Sequence, residues 1–444
     1  MNFDSLDTKI VNLGEPKIPS PLNKNIRGSN IKNFIKDADT IVVDVYANNL
    51  TRLYGEGKIP PAFEQAGPRE KIFFDPSKLK CALVTCGGLC PGLNDIIRSI
   101  VLGLYHGYDV RNIYGIQYGF QGFIPKYCHD VVDLTPDFVE DILNTGGSVL
   151  GSSRGAQDID EIVDCLERMG VGILFAIGGD GTLKAASMIV DCITERKLKI
   201  SVVGVPKTID NDIVFTSKSF GFDTAVDVAT MAIKGAHNEA QGYPNGIGLI
   251  KVMGRHSGFI AATATLAQQD VNFVLVPEID FDLEGSNGLC ASIEKRLELR
   301  KHAVIVVAEG AGQKFFNHKK KNQQRDESGN IRFGDIGHFL KKEISSYFKA
   351  KHIDITLKYI DPSYMIRSLP ANPNDSVFCG FLGRNAVHAG MTGKTRLMVS
   401  NWNKHFVHVP MDLIVGKRKN IIPHGRLWRT VLESTGQGLM KNDI

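Results

Sequence analysis

From Leu79 onward the apolar and polar positions fall into a repeating order. Cys81-Ala82-Leu83-Val84-Thr85 is a short apolar run that predicts a buried strand, and Asn94 to Val101 has helical spacing. Val110 to Gln117 returns to strand, and Asp158 to Met169 puts Ile159, Ile162, Val163 and Leu166 on one helical face. Further strands are expected at 171–177, 201–205, 246–252, 272–276 and 302–308, with helical spans between most of them. Such alternation predicts parallel sheets covered on both faces. Residues 1–75 differ. Prolines at 16, 19, 21, 60, 61 and 68 leave few periodic segments there, so this part reads as an extension wrapped on or leading into the main body.

At 444 residues the chain exceeds one compact core, and roughly two to three domains are expected. Its 52 basic and 48 acidic residues leave a net charge of +4, no footprint for sequence-independent nucleic-acid binding. No apolar stretch has the length of a membrane span, and Met1 to Asp7 lacks the basic and apolar parts of a signal peptide. A cytoplasmic protein is the expectation, with its eight cysteines as reduced thiols. Cys86 and Cys90 bracket Gly87-Gly88-Leu89, but no second pair follows at zinc spacing. Lys314 to Asp335 is the most polar stretch, and its Lys319-Lys320-Lys321 run reads as a solvated loop.

The chemistry gathers where strands end. Ile177-Gly178-Gly179-Asp180-Gly181-Thr182 and Pro206-Lys207-Thr208-Ile209-Asp210-Asn211-Asp212 each follow an apolar run. In parallel α/β sheets, ligands bind at such carboxyl-end loops. Glycines let the backbone approach phosphate, and the following helix turns its amides toward the charge. Cys86 to Asn94 supplies another glycine-rich strand-to-helix junction, and Gly147 to Gly155 is a Gly/Ser loop carrying Arg154. Asp180 suits Mg2+, which favours one or two carboxylates plus phosphate oxygens. Asp210 and Asp212, two apart, share one side if the segment is extended. Met253-Gly254-Arg255 and Ala308-Glu309-Gly310 also close apolar runs, and Tyr364-Met365-Ile366-Arg367 offers another arginine. A bound phosphate, a metal-binding Asp and a second Asp free to take a proton point to a phosphotransferase. Taken singly, each loop is also compatible with a tight turn, a helix cap or a surface ion pair.

Together these motifs, in this order from about Leu79 to Met391, resemble the phosphofructokinase family. Lys218 to Ala225, Glu309 to Gln313 and Tyr359 to Arg367 look like its ATP-dependent plant and trypanosomatid subgroup. The resemblance implies two Rossmann-like α/β domains, mainly parallel sheets, an active-site cleft between the domains, and an N-terminal extension. It implies phosphorylation of fructose 6-phosphate at its 1-hydroxyl by ATP with Mg2+. Asp210 is then the base and Asp180 the metal ligand. Gly88, Arg154, Gly155, Gly179, Asp180, Gly181 and Thr182 surround the nucleotide phosphates. Thr208, Ile209, Asp210, Met253, Gly254, Arg255, Glu309, Tyr364, Met365, Ile366 and Arg367 contact the sugar phosphate. Gly181 with Lys207 is the pair of the plant and trypanosomatid ATP enzymes; pyrophosphate-dependent relatives have Asp at the position of Gly181.

Departures accompany the match. Gly246 stands where bacterial relatives have an arginine donated across a subunit interface, Lys358 replaces another such arginine, and Leu102 replaces an effector-site arginine four residues after Arg98. Bacterial-type effector control is therefore not expected. A homo-oligomer, tetramer or dimer, is. The expected division is 1–75 as extension, 76–222 joined by about 366–420 for the nucleotide, 223–365 for the sugar phosphate, and 421–444 as a tail. A pyrophosphate-dependent enzyme is the alternative. NAD kinases and lipid kinases, which share Gly-Gly-Asp-Gly-Thr, and a catalytically silent regulatory subunit are more distant readings.

Overall fold

A computed structural model describes residues 6–23, 34–319 and 332–442. Lys320 and Lys321 of the expected solvated loop, and the first five residues of the chain, lie outside that set. The chain forms two compact units. One comprises Met1–Thr208, Ile213–Gly221 and Leu369–Arg418, the other Ile209–Asp212, Phe222–Ser368 and Lys419–Ile444.

The first unit is built on a nine-stranded sheet. Its centre is parallel, in the order Leu397–Trp402, Ser201–Pro206, Ile173–Gly178, Lys80–Thr85 and Asn112–Ile116. Ile173–Gly178 and Ser201–Pro206 are buried at every position, which is why they read as unbroken apolar runs rather than alternations. Antiparallel strands finish both sides: Val131–Asp133 at one edge, and His405–Pro410, Ala62–Gln65 and Thr40–Val42 at the other. The helix Ile159–Met169 starts where the Asp158 side chain accepts from the Glu161 amide and stops at Gly170, whose φ of 68° ends it in the left-handed region. It buries Ile162, Val163 and Leu166 against the sheet core.

The N-terminal part contributes more than a wrapping. Thr40–Val42 and Ala62–Gln65 extend the main sheet, and Val11–Asn12 pairs with Lys394–Thr395. A buried charge cluster fixes this part to the body. Glu64 pairs with Lys394 at 2.9 Å, Arg69 at 2.7 Å and the His408 ring at 3.0 Å, while Asp37 meets Arg69 at 2.8 Å and Lys394 at 3.1 Å. Burial would raise the Glu64 carboxyl, but hydrogen bonds and charge from His408 and Lys394 outweigh it and hold it down at about 2. Burial pushes the His408 ring below the ordinary histidine range, with the hydrogen bond and charge of Glu64 pulling the other way.

The second unit has a wholly parallel sheet in the order Phe273–Leu275, His302–Ala308, Gly246–Val252 and Thr356–Ile360. Helices Leu289–Arg300 and Ile336–Ala350 close a core that includes Leu249, Ile305, Leu340 and Phe348. Gly246 is enforced by packing, since a β-carbon there would stand 2.7 Å from the Ala240 carbonyl carbon. The C-terminal helix Arg426–Thr435 packs on Phe259–Gln268, and the Gln437 amide side chain bonds both backbone groups of Val274. No disulfide links any of the eight cysteines. Among the described residues no helix is long and apolar enough to cross a membrane.

Candidate functional site

In the first unit, strand register sets the expected phosphate loops side by side. Thr85 is aligned with Ile177 and Pro206 with Gly178, so the three strands end level. Where they end, the Cys86 amide donates to Ile177 O at 3.0 Å and the Lys207 amide to Gly178 O at 2.9 Å. The Gly/Ser loop is tied to the same place. The Gly87 amide donates to Ser153 O at 3.0 Å, Ser152 Oγ to Gly87 O at 2.6 Å, and Thr85 Oγ1 to Gly151 O at 2.6 Å. Lys207 Nζ donates to the Gly88 carbonyl. Gly88, Gly179 and Lys207 thus share one sheet end, with Arg154 and Gly155 exposed just beyond Ser153. Asn94, outside the expected set, fixes the loop by donating to Ile142 O and Thr145 O and accepting from the Val149 amide at 2.9 Å.

Gly178-Gly179 leads directly into helix Asp180–Glu195. A β-carbon at Gly178 would run into the Thr182 side chain, so the turn itself requires that glycine. Gly181 is different. It is exposed, in the first helical turn, and a β-carbon there meets nothing within 4 Å. Glycine costs about 1 kcal/mol relative to Ala in a helix, and no packing contact here repays it. Asp180 opens the helix, and one of its oxygens accepts from the Gly416 amide at 3.3 Å. Among the described residues no three His, Cys, Asp or Glu side chains gather to hold a metal. A single carboxylate fits a cation that arrives with phosphate oxygens and does not fit a resident all-protein site.

In the second unit, the loop Ile209–Asp212 lies against the loop after strand Gly246–Val252. The Arg255 amide is 3.5 Å from a carboxylate oxygen of the half-buried Asp210, and Ser257 Oγ donates to the Asp210 carbonyl at 3.2 Å. The Arg255 guanidinium lies 4.5 Å over the Phe333 ring. Glu309 follows strand His302–Ala308; its carboxyl is raised by burial, with Arg255, Lys251 and Arg367 pulling the other way. Each of those three cations is therefore within electrostatic reach of Glu309. Met253 and Gly254 lead into Arg255, and Gly254 has a φ of 131° that only glycine holds without strain. The Arg367 guanidinium stands 4.9 Å over the Tyr364 ring, and Tyr364 and Met365 are exposed.

Two expected contacts are limited by burial. Ile366 is fully buried and Ile209 nearly so, leaving only their backbone groups to meet a ligand. Thr208 ends the first unit, and its carbonyl accepts from Ser219 Oγ at 2.6 Å. Lys358 sits in strand Thr356–Ile360 with its ammonium 5.1 Å over the Tyr243 ring. Reasoning from sequence missed Glu278 and Lys419, both attached to these loops. Glu278 lies just beyond strand Phe273–Leu275, the same carboxyl-end signal that flagged the others. Lys419, within Lys417-Arg418-Lys419, has the look of a solvated charge run.

Known proteins share this chain's sequence and fold. The family model described as phosphofructokinase matches residues 80–390. The ATP-dependent 6-phosphofructokinase of Borreliella burgdorferi is 52% identical over 99% of each chain. That of Amycolatopsis methanolica is 44% identical over 98% of this chain and 96% of its own, and ATP-dependent 6-phosphofructokinase 1 of Arabidopsis thaliana is 43% identical over 95% and 88%. The crystal structure of a pyrophosphate-dependent phosphofructokinase from Marinobacter aquaeolei shares the fold with a TM-score of 0.66 at 19% identity, covering 82% of this chain and 92% of that one. The chain belongs to the phosphofructokinase family.

Proposed function

We infer that this chain is an ATP-dependent 6-phosphofructokinase, moving the γ-phosphoryl group of ATP to the 1-hydroxyl of fructose 6-phosphate and leaving fructose 1,6-bisphosphate and ADP. The observation that carries this reading is the full-length likeness, 52% over 99% of both chains, to a protein of that name. The geometry of the two loop sets supports it with chemistry suited to the reaction.

Phosphoryl transfer asks for positioning and charge neutralisation more than for covalent chemistry. In this reading Asp210 receives the proton of the sugar hydroxyl. A carboxylate within reach of the hydroxyl can act as that general base. Arg255 and Arg367 hold the 6-phosphate, Met253, Gly254, Thr208, Ile209, Tyr364, Met365 and Ile366 border the sugar, and Glu309 accepts hydrogen bonds from its hydroxyls. Gly88, Arg154, Gly155, Gly179 and Thr182 offer donors to the nucleotide phosphates, and Lys207 places a cation beside the transferred group. Asp180 would hold Mg2+, which neutralises phosphate charge when bound. Open space at Gly181 supports a donor with an α-phosphate, where an Asp would oppose it by bulk and charge. A cytoplasmic homo-oligomer, tetramer or dimer, completes the proposal.

The test compares initial rates for purified protein with fructose 6-phosphate and Mg2+, offering ATP or pyrophosphate, and with NAD or diacylglycerol as alternative acceptors. Sugar bisphosphate formed with ATP alone supports the reading. A rate with pyrophosphate alone overturns the donor, and phosphorylation of NAD or lipid overturns the acceptor.

A further inference from the structure

The segment after Arg418, beyond the residues that the family model matches, reaches the loop that carries Asp210. The Lys419 amide donates to Asp212 O at 2.7 Å, and Lys419 Nζ donates to Asn211 Oδ1 at 3.2 Å. Its ammonium also lies 5.2 Å over the ring of Phe259, the first residue of helix Phe259–Gln268. Two residues on, the Ile421 amide donates to Glu278 at 2.9 Å. The same carboxylate accepts from the Gly258 amide, at 3.0 and 3.1 Å to its two oxygens. Gly258 directly follows Ser257, whose hydroxyl holds the Asp210 carbonyl.

We propose that Lys419 is a positioning residue for phosphoryl transfer, acting with Glu278 to clamp the Asp210-Asn211-Asp212 loop against the loop from Met253 to Gly258. Lys419 grips the far side of the Asp loop by one side-chain and one backbone bond. Glu278 fixes both the strap that carries Lys419 and the helix start behind Ser257. The Asp210 carboxylate is then oriented from both sides without either clamp residue touching substrate. Asn211 has a φ of 55°, in the left-handed region that Asn tolerates better than most non-glycine residues, and Lys419 adds two local restraints to that turn. The half-buried Lys419 ammonium has its pKa pushed down by burial to about 8, with Asp212 pulling the other way, so holding the charge there has a cost. As a fixed donor beside a catalytic loop it has a function. This inference rests on the reaction proposed above.

The experiment measures steady-state kinetics and thermal melts of wild type, Lys419→Met, Asn211→Gly and the double variant with ATP, Mg2+ and fructose 6-phosphate. Glycine at 211 accepts the positive φ, so that variant removes the acceptor without straining the turn. For Lys419→Met we expect kcat lower by about 10–100-fold, the loss that misplacing a reacting group by about 1 Å produces, with both KM values within about threefold of wild type. Asn211→Gly lowers kcat in the same direction, and the double variant is no worse than the weaker single, because the pair acts as one unit. Wild-type kcat in either single variant, or losses that multiply in the double, overturns the inference while leaving the reaction intact. A wild-type protein inactive with these substrates removes the proposed function and this inference with it.

Discussion

Gly310 makes room for Arg255: a β-carbon at position 310 would stand 2.7 Å from the Arg255 carbonyl carbon. The Gly310 amide also donates to Gly254 O at 3.0 Å, so the two loops are fitted backbone to backbone. Gly310→Ala should push the Met253–Arg255 turn aside. Such overpacking costs about 1–3 kcal/mol. The expected result is a lower melting temperature and a raised KM for fructose 6-phosphate, with the KM for ATP little changed. Steady-state kinetics check this, and an unchanged sugar KM would detach the turn from the sugar site.

Asp210→Asn keeps the shape of the side chain and removes its basicity. Turnover should fall by about 10²–10⁴-fold, the usual contribution of a general base. ATP affinity, read by calorimetry in the absence of sugar, should stay near wild type. A variant with wild-type turnover would take Asp210 out of the mechanism.

Gly181→Asp tests the donor argument without disturbing the fold. A side chain at 181 enters open space, so the melting temperature should match or exceed wild type. The ratio of kcat/KM for ATP to that for pyrophosphate should fall by at least about tenfold, the effect of roughly 1.4 kcal/mol. An unchanged ratio would mean that position 181 does not face the donor.

Glu64 gives a pH signature for the anchoring of the N-terminal strands. Its folded-state pKa lies near 2, below the ordinary value of 4.5. The unfolded chain therefore takes up the proton first as pH falls. The stabilisation is complete above about pH 4.5 and is lost between there and about 2. Glu64→Gln should destabilise the protein at neutral pH by about 3–5 kcal/mol, since it leaves Lys394 and Arg69 buried with one carboxylate fewer. That gap should narrow below pH 4.5 in urea unfolding curves. A gap constant with pH would show that the Glu64 charge does not anchor this part.

The parallel strands were legible because full burial on both faces writes an unbroken apolar run, as at Ile173–Gly178. Thr40–Val42 and Ala62–Gln65 were not, because strands of three and four residues at a sheet edge are too short to show a period. The candidate site divides the same way. Asp180, Asp210 and Arg255 stand directly after strands, where the motif and the ligand-binding end of the sheet coincide. Lys419 belongs to a loop with no pattern of its own, and only its bonds to Asn211 and Asp212 tell it from Lys417 and Arg418. Ile366 shows the opposite case: a motif position whose side chain proves to be core.

The central claim is a transfer from ATP to one hydroxyl of one sugar phosphate. The most direct measurement is a phosphorus NMR time course of purified protein with ATP, Mg2+ and fructose 6-phosphate. The account predicts that ADP and a new phosphate ester on carbon 1 grow at equal rates while the carbon 6 ester persists. Loss of ATP with free phosphate and no new ester, or no change in either substrate, would contradict it.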